Sequence, residues 1–245
     1  MSVNWMMQRV LAFRYRGKMP AEWGPAVDEL AFSDVLTRSD KDRLVQLARM
    51  FDSAVSFDGR HDFEITDRVR RLVSLQACRL ILNLGYEPFR YVHRVTVAPT
   101  TFVVETGGGD LWVLGAEHAG HIALSWNESE IGRKNDTDGR NVIYHEFAHV
   151  LDRYDGTVDG RPDMEEPLRQ AIWTRSVTAA FHRRRKSRRK RELIDEYATT
   201  SPAEFFAEVT EVFFERPDEL HASDQPLYEA FADYYQQDPV GDLAR

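Results

Sequence analysis

His145 and His149 lie four residues apart in the run Val142-Ile-Tyr-His-Glu-Phe-Ala-His-Val-Leu-Asp152. On a helix of 3.6 residues per turn this spacing projects both imidazoles from one face, so two ring nitrogens can reach a single metal ion. Zinc is the ion that such a nitrogen pair suits best. Glu146 follows the first histidine and is displaced around the helix, which lets its carboxylate reach a water on the metal without being a ligand. Val142, Ile143, Val150 and Leu151 make the helix apolar around the motif, as an active-site helix in a core requires. The competing reading is a core helix whose two histidines are merely hydrogen-bonded.

A catalytic zinc is held by three protein groups and keeps a fourth position for water, so a further donor must come from elsewhere. Ser201-Pro-Ala-Glu204 has the marks of a helix start: a capping hydroxyl, proline at the first helical position and glutamate at the third. Glu204, Glu208, Glu211 and Glu215 then fall at i, i+4, i+7 and i+11, along one stripe. Two readings of that stripe stand side by side. It supplies the donor, or it is a solvated acidic face on which Glu204 closes a capping box with Ser201. His118, His121, His182 and His221 have no spacing that favours them. Asp152, three residues beyond His149, is placed to orient a ligand imidazole as an acceptor, and Glu208 or Glu211 could do the same.

These residues need elements to position them. Residues 1 to 16 carry apolar groups at near-helical spacing, Ser39-Asp-Lys-Asp42 opens a helix with Leu44, Leu47, Ala48 and Phe51 on one face, and residues 65 to 84 form a more apolar helix ending at Gly85. Between Tyr91 and Trp126 the pattern changes to short runs rich in β-branched and aromatic residues, with strands expected at 93–97, 101–105, 111–114 and 121–126. Asp138 is the expected cap of the metal helix. Helices over 167–181, 201–215 and 225–235 follow. Ala123, Leu124, Ser125 and Trp126 are the expected edge along which a peptide substrate would add as a strand.

Composition bounds the remainder. The 245 residues carry a net charge of -8 and no apolar run near the 18 or so that span a bilayer, which argues against a membrane protein and against a general nucleic-acid binder. The amino-terminal residues, broken by Asn4, Gln8 and Arg9, lack a signal-peptide apolar core, so a cytoplasmic location is expected. Cys78 sits among apolar residues and reads as a small buried hydrophobe. One segment runs against the overall charge: residues 183–191 hold eight cations in nine positions, read as a solvated loop or helix end rather than a nucleic-acid site.

The run His145–Asp152, Tyr197 and Ser201-Pro-Ala-Glu-Phe-Phe-Ala-Glu208 together resemble the Mlc titration factor A family of bacterial zinc peptidases, and the same segments resemble the catalytic domain of anthrax lethal factor. The first likeness extends to Ile65-Thr-Asp67, Ala123-Leu-Ser-Trp126 and Tyr234-Tyr-Gln-Gln-Asp-Pro239, and so spans most of the chain; the basic run departs from it. The resemblance implies that Glu204 is the third ligand of one Zn2+ per chain and that Tyr197 works beside it. It implies an α+β, zincin-like fold. Residues 1–245 would form one domain, with a mainly helical support region over 1–90 and a small, mostly antiparallel sheet packed on the active-site helix within 91–245. The expected activity is peptide-bond hydrolysis by a metal-activated water, aminopeptidase-like, with Glu146 as base and Tyr197 as donor to the oxyanion. The alternative is a regulatory protein that sequesters a transcriptional repressor.

Overall fold

The computed structural model describes residues 19–100, 102–106, 109–113, 115–118, 120–164, 166–187 and 193–243. The helix expected over 1–16 and the end of the basic run lie outside the described residues. By internal packing the chain divides into two compact units, one ending at Asn135 and the other beginning at Asp136.

In the first unit, α1 (Arg38–Ala54) starts two residues earlier than the acidic cluster suggests, because the Thr37 hydroxyl accepts the Asp40 amide. Thr66 caps α2 (Asp67–Leu80) in the same way through the Val69 amide. The two helices pack on each other, and α2 is buried continuously from Leu72 to Leu80, Cys78 included. Arg79 joins that run by stacking over Phe32 at 5.3 Å.

The sheet of this unit corrects the expectation of a mostly antiparallel one. Its strands are β1 (Ser56–Gly59), β2 (Arg94–Ala98), β5 (Gly115–His118) and β6 (His121–Ser125), in the order β1-β2-β6-β5. β1, β2 and β6 run parallel, and β5 is antiparallel to β6. Parallel neighbours need a crossover. The chain makes one through α2 between β1 and β2, and a second between β2 and β6 through a separate hairpin, β3 (Phe102–Thr106) with β4 (Gly109–Val113), followed by β5. Short β-rich runs in quick succession look like a meander, but this hairpin leaves the sheet. β1, Ser-Phe-Asp-Gly, has no β-branched residue to mark it.

The same topology overturns the expected substrate edge. Ala123 and Leu124 pair with Thr96 and Val97 of β2 on one side and with Ala116 and Gly115 of β5 on the other, so their backbone is interior to the sheet. Ser125 pairs with Ala98 and caps the next helix, α3 (Trp126–Lys134), whose first residue is Trp126.

The second unit is helical: α4 (Val142–Asp152), α5 (Pro167–Lys186), α6 (Pro202–Glu215), α7 (Pro217–Ser223) and α8 (Gln225–Tyr235). Its core is aromatic. Trp173 of α5, 1% exposed, has its ring centroid 5.7 Å from Phe206, 4.9 Å from Phe231 and 5.4 Å from Tyr234. Its indole N–H donates to the Gly160 carbonyl at 3.2 Å, which satisfies the one polar atom that the burial would strand. α5 outruns its expected end by five residues and takes in the start of the basic run. There Arg184 is buried and donates to the Ile194 carbonyl, and Arg183 pairs with Asp224. Among the described residues, part of the basic run is thus built into the fold.

Candidate metal centre

α4 and α6 pack against each other and carry the groups singled out above. α4 begins at Asn141, whose side-chain oxygen accepts the Ile143 and Tyr144 amides at 3.1 and 3.2 Å. Asp138, the expected cap, instead accepts the Arg140 amide in the preceding turn. The start of α6 follows its sequence signature, with the Ser201 hydroxyl accepting the Glu204 amide at 3.1 Å. One turn into each helix stand the candidate ligands.

His145 and His149 have ring centroids 5.0 Å apart. The Glu204 carboxylate faces both: Oε2 lies 3.1 Å from His145 Nε2, and Oε1 lies 3.6 Å from His149 Nε2. One donor atom from each residue falls within 4.8 Å of the others. Two imidazole nitrogens and one carboxylate oxygen, converging from two helices and only slightly exposed, fit a divalent transition-metal ion.

The protonation pattern is that of a site shaped for a cation. Burial opposes charge on His145, yet its hydrogen bonds with Glu204 and Glu211 hold its proton affinity well above the ordinary histidine range. Burial also pushes the Glu204 carboxyl up, but hydrogen bonds from both imidazoles outweigh it and hold the group down at about 2. Glu146, 5% exposed, behaves in the opposite way: burial raises its carboxyl to about 7, with Glu204 and Glu211 adding to the rise and the two histidines opposing it. Glu208 is likewise pushed to about 7, by burial and by Glu211.

The remaining glutamates of the stripe are not solvated. Glu211, buried, has Oε1 at 2.8 Å from His145 Nδ1, and its Oε2 accepts the Asn141 amide. Glu208 Oε1 is more distant from the same nitrogen, at 3.9 Å. Asp152, fully buried, has its two oxygens on other partners, the Gly160 and Arg161 amides at 2.9 and 3.0 Å. It ties down the segment that follows α4.

The metallo character of this arrangement agrees with the similarity of the chain as a whole. Residues 3–236 match the family model described as glucose-regulated metallo-peptidase M90. The chain belongs to that M90 family. Mlc titration factor A of Enterobacter sp. (strain 638) is 34% identical over 226 aligned residues, covering 84% of this chain and 82% of the relative. Mlc titration factor A of Escherichia coli O139:H28 is 33% identical over 231, covering 86% and 84%. An uncharacterised protein of Synechocystis sp. is 32% identical over 245, covering 92% and 87%.

In this M90 chain Tyr197 stands on a single helical turn, Glu196–Thr199, capped by Asp195, with its ring 6.5 Å from that of His145. It is 54% exposed. Burial of part of the ring, and then Glu204, push its hydroxyl above the ordinary tyrosine range. Two residues of this M90 neighbourhood had no role in the sequence reading. Asn141 was signalled by its place directly before the apolar run, where Asp138 drew attention instead. Glu215 was visible only as the last member of the stripe; its Oε2 accepts the Gly139 and Arg140 amides at 3.1 and 2.9 Å.

Proposed function

We propose that this chain is a zinc-dependent peptidase of the cytoplasm that hydrolyses peptide bonds, acting on peptides with a free amino terminus, with one Zn2+ held by His145, His149 and Glu204. The observation that carries the reading is the buried Glu146 carboxyl, which a purely structural metal site does not need. Bound at those three groups, zinc would supply Lewis acidity toward the scissile carbonyl and acidify a water. Glu146, buried next to the ligand His145, takes the proton from the attacking water and returns it to the leaving amine. The Tyr197 hydroxyl, kept protonated and reachable from solvent, donates to the carbonyl oxygen as negative charge develops on it.

The test is hydrolysis of a mixed peptide library, free-amino-terminus substrates included, by zinc-loaded protein beside its Glu146→Gln variant, with zinc content measured in both. Cleavage by the parent alone, with zinc retained by the variant, supports the assignment. Equal cleavage by both removes Glu146 from the mechanism, and no cleavage by either, with zinc in both, removes the peptidase reading.

A second reading comes from the relatives' name, which makes Mlc the thing they titrate. On this reading the chain binds a transcriptional repressor. A repressor of that kind binding equally to the parent and to Glu146→Gln would show that sequestration operates without hydrolysis.

A further inference from the structure

The two helices that hold the candidate ligands are joined by a second set of contacts, made mostly by groups that are not ligands. Directly before α4 lie three successive backbone amides, those of Gly139, Arg140 and Asn141. All three donate to carboxylates of α6: the first two to Glu215 Oε2, the third to Glu211 Oε2. The other oxygen of Glu211 meets His145 Nδ1 at 2.8 Å. Gly139 is at φ +80, and a side chain there would press on Arg216 at 3.1 Å, so the turn approaches the end of α6 closely.

We propose that Glu211 and Glu215 are positioning residues that clamp the start of α4 onto α6 and thereby set the separation of His145 and Glu204. The proposal rests on the reading of His145, His149 and Glu204 as the metal ligands. Glu211 does two jobs at once. It accepts from His145 Nδ1, which fixes the ring so that Nε2, on the Glu204 side, is the nitrogen left for a metal ion, and it holds the amide of the residue that caps the helix. Two donors on two separate oxygens require a carboxylate at 211, since an amide has one acceptor oxygen and an NH2 that repels a donor. Glu215 is different. Its Oε2 receives both backbone amides, while Oε1, also buried, has no hydrogen-bond partner among the described residues. A neutral side chain with one acceptor oxygen can therefore do its work.

This asymmetry is testable by metal affinity, read from zinc competition against a chromogenic chelator, without any assay of activity. Glu211→Gln is expected to weaken zinc binding by about 10- to 100-fold, the range found when a hydrogen-bond partner of a ligand histidine is lost. Glu215→Gln should bind zinc within about two-fold of the parent, while Glu215→Ala weakens it by roughly ten-fold. Circular dichroism of each zinc-free protein establishes that it is folded. Should Glu211→Gln not fold, the Glu215 pair decides the matter. Unchanged affinity in Glu211→Gln, or equal losses in Glu215→Gln and Glu215→Ala, would overturn the clamp. A parent protein that binds no zinc would overturn the ligand assignment and the clamp with it, whereas tight binding by the parent and all three variants sinks the clamp alone.

Discussion

Replacing Glu215 by Gln should make this protein less sensitive to alkaline pH. The carboxyl is buried, and burial raises it from 4.5 in the unfolded chain to about 9, with Asp138 and Glu211 adding to the rise and hydrogen bonds from Asn141 and Arg140 opposing it. Between those two values the unfolded chain has released this proton and the folded chain has not. Unfolding therefore becomes easier as pH rises through the window, and Glu215 contributes no slope below 4.5 or above about 9. One proton of difference lowers the unfolding free energy by about 1.36 kcal/mol per pH unit, hence by at most about 2.7 kcal/mol from pH 6 to pH 8. Glutamine keeps the acceptor oxygen for Gly139 and Arg140 and has nothing to ionise. Urea unfolding of parent and variant at pH 6, 7 and 8 gives the difference directly, and other titrating groups, Glu146 and Glu208 among them, cancel in it. In a chain of this length the advantage of the variant at pH 8 over that at pH 6 corresponds to roughly 5 to 10 °C in Tm. Parallel pH profiles for the two proteins would refute the assignment of a buried, protonated Glu215.

Three further substitutions test other parts of the structure. Tyr197→Phe should lower kcat by about 10²- to 10³-fold, if its hydroxyl is the oxyanion donor, while zinc content and Tm stay unchanged because the ring is largely exposed; steady-state kinetics with parallel melts will show it. Asn141→Ala removes the acceptor for the Ile143 and Tyr144 amides in a buried setting and should cost about 1 to 2 kcal/mol in denaturant unfolding. Trp173→Ala empties the centre of the aromatic core and leaves the Gly160 carbonyl without its donor, for an expected loss of about 3 to 5 kcal/mol, measured in the same way.

The sequence determined what lies within one helical turn. The spacing of His145 and His149, the place of Glu146 beside them and the Ser201 cap of α6 are each settled by residues at most four apart, so backbone geometry alone relates them. The alignment of four glutamates along α6 was legible for the same reason, but what each one faces was not. Glu204 meets both imidazoles, Glu211 meets His145 from its other side, and Glu215 meets a turn of backbone, all across 55 to 76 residues of chain. Those partners follow from how α4 lies on α6, which no periodicity encodes. The sheet shows the same division. Strands near 94–98 and 121–125 were marked by short runs of apolar residues, β-branched in the first, yet their parallel pairing, and with it the interior position of Ala123 and Leu124, depends on a hairpin that leaves the sheet between them. Local spacing specifies an element and its faces, whereas the partner of each face is decided by packing over the whole unit.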